Sequence, residues 1–211
     1  MINKPNIFYP NYQWNGELTN RSKTDLIVWH HSESGDVSAL EIDSWHKNRV
    51  NDPFIGIGYN FVVHWDGSIE TGRPIDKQGA HAYGINNRSI GICFTGRYDD
   101  SNNMPELQFN SGVQLTTWLL QIYPGCEIIG HRDAIDYGGD ASSCPGQHFP
   151  FDEMKNKVLT EVIIVTEQWK LDIITNAKNA KLITSDHDPD EQATKWFVLA
   201  TMLNLLKIIK G

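Results

Sequence analysis

The sequence predicts an α/β domain with a mixed central β-sheet flanked by helices, followed by a small all-helical C-terminal module. Short apolar runs rich in β-branched residues recur at 25–30, 59–65, 89–94 and 126–130. Segments with helical spacing lie between them, and beyond residue 151 glycine and aromatic content falls while helical periods take over.

Residues 1–24 form a polar, turn-rich arm whose aromatics, Phe8, Tyr9, Tyr12 and Trp14, are expected to dock it onto the domain. The run 25–30 (DLIVWH) reads as a buried strand that ends on His30 and His31. From Ser38 the apolar residues Leu40, Ile42, Trp45 and Val50 take helical spacing, with Ser38 as N-cap and Glu41 completing a capping box. Residues 59–65 and 68–72 read as strands joined at the Asp66-Gly67 turn. After a loop containing His81, residues 89–94 form another buried strand. A helix over 105–123 stops at Pro124-Gly125, and a last strand, 126–130, delivers His131. Residues 166–184 and 190–210 read as amphipathic helices, the second with an apolar stripe of Met202, Leu203, Leu205, Leu206 and Ile208. The domain is assigned to 1–155 and the helical module to 156–211, a size at which an isolated core is marginal.

The formal net charge is -8 over 211 residues. Residues 1–155 carry 11 Lys+Arg against 19 Asp+Glu, and 156–211 carry 7 against 7, so all of the net charge sits in the first part. An acidic chain without a Lys/Arg run repels phosphate backbones, which argues against nucleic acid as a partner. The N-terminus has no apolar signal-peptide core, and no stretch reaches the roughly 18 apolar residues of a membrane span. The expectation is synthesis in the cytoplasm without a signal peptide or membrane insertion. Three cysteines cannot build a disulfide framework; Cys93 and Cys126 sit in apolar strands and read as core.

Cys144 differs, because it lies in a polar loop shortly after His131. Imidazole and thiolate are both zinc ligands, and a His2Cys set leaves a fourth tetrahedral position for water, as in a catalytic site. No C-x-x-C or H-E-x-x-H motif is present, so spacing alone indicates only a suspected site at His30/His31, His131 and Cys144. Strand alternation puts His30 and His31 on opposite faces, so one of them reaches a metal. His46, His64, His148 and His187 have no spacing that recommends them.

The pieces LTNRSKTDLIVWHHS, WHKNR, GIGYNFVVHWDGSIETGR, GAHAYGINNRSIGICFTG, GHRD and SSCPG occur in that order over residues 15–155. Together they resemble the zinc-dependent N-acetylmuramoyl-L-alanine amidases of the type-2 family, which includes phage amidases and peptidoglycan recognition proteins. The resemblance implies the type-2 amidase fold and one Zn2+ per chain, held by His30, His131 and Cys144, with Asp140 as the alternative to the cysteine. It leaves His31 as a flanking groove residue. Such a site hydrolyses an amide with a water whose pKa zinc lowers toward about 7. The resemblance also implies that Tyr59 orients the water or donates to the developing oxyanion, and that Ser142, two positions before the cysteine, assists as a neutral hydroxyl. Trp45, Arg73, His81 and Asn86 fall at groove positions for peptide or sugar.

The implied reaction cleaves the bond between N-acetylmuramic acid and L-alanine in peptidoglycan, fitting a phage or prophage endolysin that reaches the wall after release. The rival is a non-catalytic peptidoglycan-binding protein of the same fold; a regulator that binds another protein is a third reading. The tail is similar to helical segments that follow amidase domains in endolysins of Gram-positive hosts, which implies wall targeting or self-association. The alternative is a helical cap that covers apolar surface.

Overall fold

The computed structural model describes residues 3–101, 103–183, 188, 198–199, 201–203 and 205. In chain order the elements are β1 (Leu26–His31), α1 (Ala39–Lys47), β2 (Phe61–Val63), β3 (Ile69–Thr71), β4 (Ser89–Phe94), α2 (Glu106–Ile122), β5 (Glu127–Gly130) and α3 (Phe151–Asn179). A 3-10 helix, His131–Tyr137, follows β5 directly. The five strands form one mixed sheet in the order β3-β2-β4-β1-β5, antiparallel only between β2 and β3.

β1 and β4 are buried along their whole length, as strands in the middle of a covered parallel sheet must be. On one face Leu26, Val28 and Ile129 pack with Ala82, Ile85 and Ala134. Beside them Val62 and Cys93 pack with Ala39, Ile42 and Ile57, which seats α1. On the other face the Trp29 ring meets Phe94 at 6.1 Å and Phe151 at 5.1 Å, and its indole N–H donates to Thr116 of α2. His30 shares the first face with its register partner Cys93, and His31 the second with Phe94.

Ser38 caps α1 as expected, its Oγ accepting the Glu41 N–H at 3.2 Å, but the return bond from the Glu41 side chain is not seen among the described residues, and the helix ends at Lys47, leaving Val50 outside it and exposed. Glu70 Oε2 accepts the Ala39 N–H as well. Other elements differ. The strand read over 59–65 shortens to Phe61–Val63, because Asn60 Oδ1 takes the Gly91 N–H and Tyr59 O takes the Arg73 N–H outside the ladder. Docking of the arm also differs from the expectation. Tyr12 and Trp14 pack on the core and the Phe8 backbone pairs with β3, while the Phe8 and Tyr9 side chains are exposed.

The helix expected over 166–184 instead spans Phe151–Asn179, because Phe151, Met154 and Val158 share a buried stripe that begins the helix early. The chain divides into two units between Thr160 and Glu161. Of the helix expected over 190–210, Val198, Leu199, Thr201–Leu203 and Leu205 are helical, and the remainder, with Leu206, Ile208 and His187, lies outside the described residues.

Candidate metal centre and cleft

A cleft of about 690 Å³ opens at the C-terminal ends of β1 and β5, the side of a parallel sheet where loops are free to carry chemistry. His30, Tyr59, Arg73, His81, Asn86, His131 and Cys144 all line it. The donor atoms of His30, His131 and Cys144 lie within 4.8 Å of one another, the only such His/Cys/Asp/Glu group among the described residues. Asp140 is not part of the group; its Oδ1 sits 3.1 Å from His131 Nε2.

The ring contacts accommodate a tautomer that frees one nitrogen of each ligand candidate for a metal. His30 Nδ1 faces Cys144 Sγ at 3.7 Å; with that nitrogen kept free for a metal, Nε2 carries the proton and donates to His81 Nδ1 at 3.0 Å. His81 Nε2–H then faces Ser89 Oγ at 3.4 Å, and that hydroxyl donates to Ile85 O. Asp140 Oδ1 accepts from His131 Nε2, so Nδ1 is the ring nitrogen turned away from that carboxylate. Burial holds His30 well below the usual imidazole range and His81 down to about 3, so both stay neutral, the form that ligates a metal. Burial pushes the Cys144 thiol up to about 12. A cation between the three donors would reverse that preference, because a coordinating thiol is deprotonated. Two imidazoles with oriented outer nitrogens and one thiol fit a zinc ion.

Cys144 is placed by backbone. Arg132 N–H donates to Cys144 O at 2.6 Å, and the His31 N–H points at Cys144 Sγ at 3.4 Å. Ser142 Oγ accepts the Cys144 N–H at 3.1 Å and is not among the cleft-lining residues. His31 also lines the cleft, although its ring turns to the other face of the sheet, where Nδ1 accepts the Tyr98 N–H and Nε2 lies 3.8 Å from Asp99. Trp45 is exposed on α1 and also outside the cleft lining. Arg73 ties Ile57 O and Gln78 O together, and Asn86 Oδ1 accepts the His81 and Ala82 N–H groups, so each shapes a cleft wall. Tyr59 is half-buried with its ring 5.1 Å from that of His30. Burial, with the Cys93 thiol beside it, holds the Tyr59 phenol well above its ordinary value and therefore protonated.

Sequence reasoning passed over His46, which also lines the cleft. Its Nδ1 accepts the Gly58 N–H at 2.9 Å and its ring lies 5.5 Å from Tyr59, so it braces the backbone just before that tyrosine. The usable signal was its place in the last turn of α1, opposite the glycine-rich approach to Tyr59.

The sheet, the open cleft and a His2Cys donor set define an α/β protein with a candidate metal site open to a ligand. The profile of the N-acetylmuramoyl-L-alanine amidase family matches residues 20–147, which contain all three donors. The endolysin of Escherichia phage T7 is 31% identical over 151 residues, covering 68% of this chain and 95% of its own. Peptidoglycan-recognition protein SC2 of Drosophila melanogaster is 30% identical over 151 residues, covering 64% of this chain and 77% of its own. Among solved structures, the endolysin amidase LysCS from Clostridium intestinale superposes with a TM-score of 0.68 at 32% identity, covering 75% of this chain and 98% of that one. The chain belongs to the N-acetylmuramoyl-L-alanine amidase family, type 2.

Proposed function

We infer that the protein hydrolyses the amide between N-acetylmuramoyl residues and L-alanine in peptidoglycan, as a phage or prophage endolysin acting on the cell wall. The observation that carries this reading is the convergence of His30, His131 and Cys144 on the cleft floor, inside the segment the family profile matches. One Zn2+ held by these residues would supply a Lewis acid for the scissile carbonyl and lower the pKa of the attacking water.

The remaining work falls to the chain. His81 and Asp140 fix the rings of His30 and His131 through their outer nitrogens. Tyr59, protonated at neutral pH, presents an O–H to the oxygen on which negative charge develops, and His46 steadies it from behind. Ser142 acts as a positioning residue for the loop that carries Cys144. Arg73 and Asn86 hold the walls against which the substrate lies. The helical tail is proposed as a wall-targeting or self-association module. Exposed Ile163, Ile164 and Trp169 support a docking role, and no helix among the described residues is long and apolar enough to cross a membrane.

The test is mass analysis of defined muropeptides after incubation with the protein, with and without chelator. Peptides with a free L-alanine amino terminus that vanish on metal removal are expected; bound but uncleaved muropeptide would replace the enzyme reading with that of a binding protein. Cys144→Ala should lose both zinc and activity, and a variant that kept both would overturn the ligand assignment.

A further inference from the structure

His64, at the C-terminal end of β2, bridges two carboxylates. Its Nδ1 lies 3.1 Å from Asp36 Oδ1, in the loop between β1 and α1, and its Nε2 lies 3.1 Å from Glu70 Oε2 on β3. The side chain is nearly buried. Both carboxylate oxygens take other donors: Asp36 Oδ1 accepts Thr95 Oγ1–H at 2.6 Å and the Trp65 N–H at 3.4 Å, and Glu70 Oε2 accepts the Ala39 N–H that starts α1. Asp66, in the turn after β2, also senses the charge on His64.

An imidazole can donate to both carboxylates only when it carries two protons. The neutral ring donates to one and sets its lone pair against the other. Burial opposes the charge on His64, but hydrogen bonds to Glu70 and Asp36 outweigh it and raise the pKa above the ordinary 6.5. Glu70 is lowered, chiefly by its hydrogen bond to His64.

Asp36 anchors a loop that matters to the cleft. Ser32 and Glu33, a few residues before it, line the cleft, and Glu33 has φ 55°, a left-handed conformation that costs a non-glycine residue free energy. Contacts on both sides hold that turn. Ser32 N–H donates to Phe94 O and Arg97 donates to Glu33 O on one side, and the Asp36 cluster holds the other.

We propose that His64, as an imidazolium bridging Asp36 and Glu70, is a positioning residue that sets the cleft wall at Ser32 and Glu33, and that this wall loosens when the proton leaves. The proposal rests on that cleft being the substrate site. A raised folded-state pKa means that the stabilisation is complete below the unfolded value of 6.5 and is lost as pH rises through the folded value. The lowered Glu70 sets the acid limit, its contribution falling away as pH drops below 4.5 through its folded value.

Two measurements test the proposal. NMR titration of the His64 ring in the full chain should give a pKa above 6.5; a value at or below 6.5 overturns the proposal whether or not the protein is an amidase. KM for a soluble muropeptide should climb about threefold to tenfold through that same pKa, the net worth of roughly one ordinary hydrogen bond, since the neutral ring keeps one of its two partners. His64→Gln, which is never cationic, should show the high-pH KM at every pH, and His64→Lys, always cationic, should keep the low-pH KM throughout. A His64→Gln profile that superposes on the native one overturns the proposal. If the muropeptide is bound but not cleaved, its Kd reads the same wall.

Discussion

At the scale of single residues, the site is built as much from missing side chains as from present ones. The His81 ring, which holds the proton side of His30, lies in a slot between Gly79 and Gly91. A Cβ on Gly91 would sit 2.4 Å from His81 Cδ2 and 2.5 Å from its Cγ. Gly91→Ala should therefore push the ring off His30 Nε2 while leaving β4 in the sheet. By the usual worth of an outer-shell partner, zinc affinity and kcat/KM should both fall about 10-fold to 100-fold. Metal content by atomic absorption, alongside muropeptide kinetics, checks this, and unchanged values would remove His81 from the role given to it. Strand ends and a cysteine in a polar loop marked only a suspected cluster at His30/His31, His131 and Cys144; the family resemblance singled out His30, and the fold brings the three donor atoms within 4.8 Å of one another. The His81, Asp140 and His46 contacts were not legible in the same way, since each depends on which ring nitrogen faces which neighbour. That is decided by packing between segments distant in the chain.

Among the elements, those with a strong local signal were readable and those set by neighbours were not. Ser38 and Glu41 announce the start of α1, and the apolar run of β4 matches its strand residue for residue. β2 was overextended because the residues flanking it have strand composition but bond irregularly: Asn60 takes the Gly91 N–H of β4 with its side chain, Tyr59 O takes the Arg73 N–H beyond β3, and the His64 N–H goes to Ser68 O in the turn. The seat of α2 shows the same dependence on neighbours. Gly112 faces β4, and a Cβ there would lie 2.4 Å from Phe94 Cε1 and 2.8 Å from its Cζ. Intrinsic helix propensity favours Gly112→Ala by about 1 kcal/mol. Phe94 is fully buried and has no room to retreat. Overpacking of this kind costs about 1–3 kcal/mol, so the clash should win and the variant should melt at a lower temperature. Thermal unfolding followed by circular dichroism reads the sign; a raised Tm would mean that α2 shifts freely against the sheet.

For the whole molecule, the question is where the amidase ends. Composition places the break near residue 155, because the aromatic and glycine content drops there. Packing places it later: Val158, like Met154, is fully buried, and Lys155 Nζ donates to Ile128 O on β5. The first turns of α3 therefore complete the core of the sheet domain, although their sequence already reads as part of the tail. A chain ending at Thr160 should keep the Tm of the sheet domain and cleave soluble muropeptides at the full-length rate. A chain ending at Lys155 loses Val158 and should be destabilised by about 2–3 kcal/mol, the worth of burying one valine and the helical turn that carries it. At this size that corresponds to a Tm lower by roughly 4 to 12 °C. Equal melting of the two truncations would move the boundary back to the compositional break. The same pair addresses the tail. The acidic net charge lies in the first 155 residues, so the catalytic part has no excess positive charge with which to hold an anionic wall, and the neutral tail with its exposed Ile163, Ile164 and Trp169 is where docking would reside. If the tail docks, the 1–160 chain should lose activity on intact sacculi while retaining it on soluble muropeptides. Equal rates of the full chain and 1–160 on both substrates would reduce the tail to a helical cap.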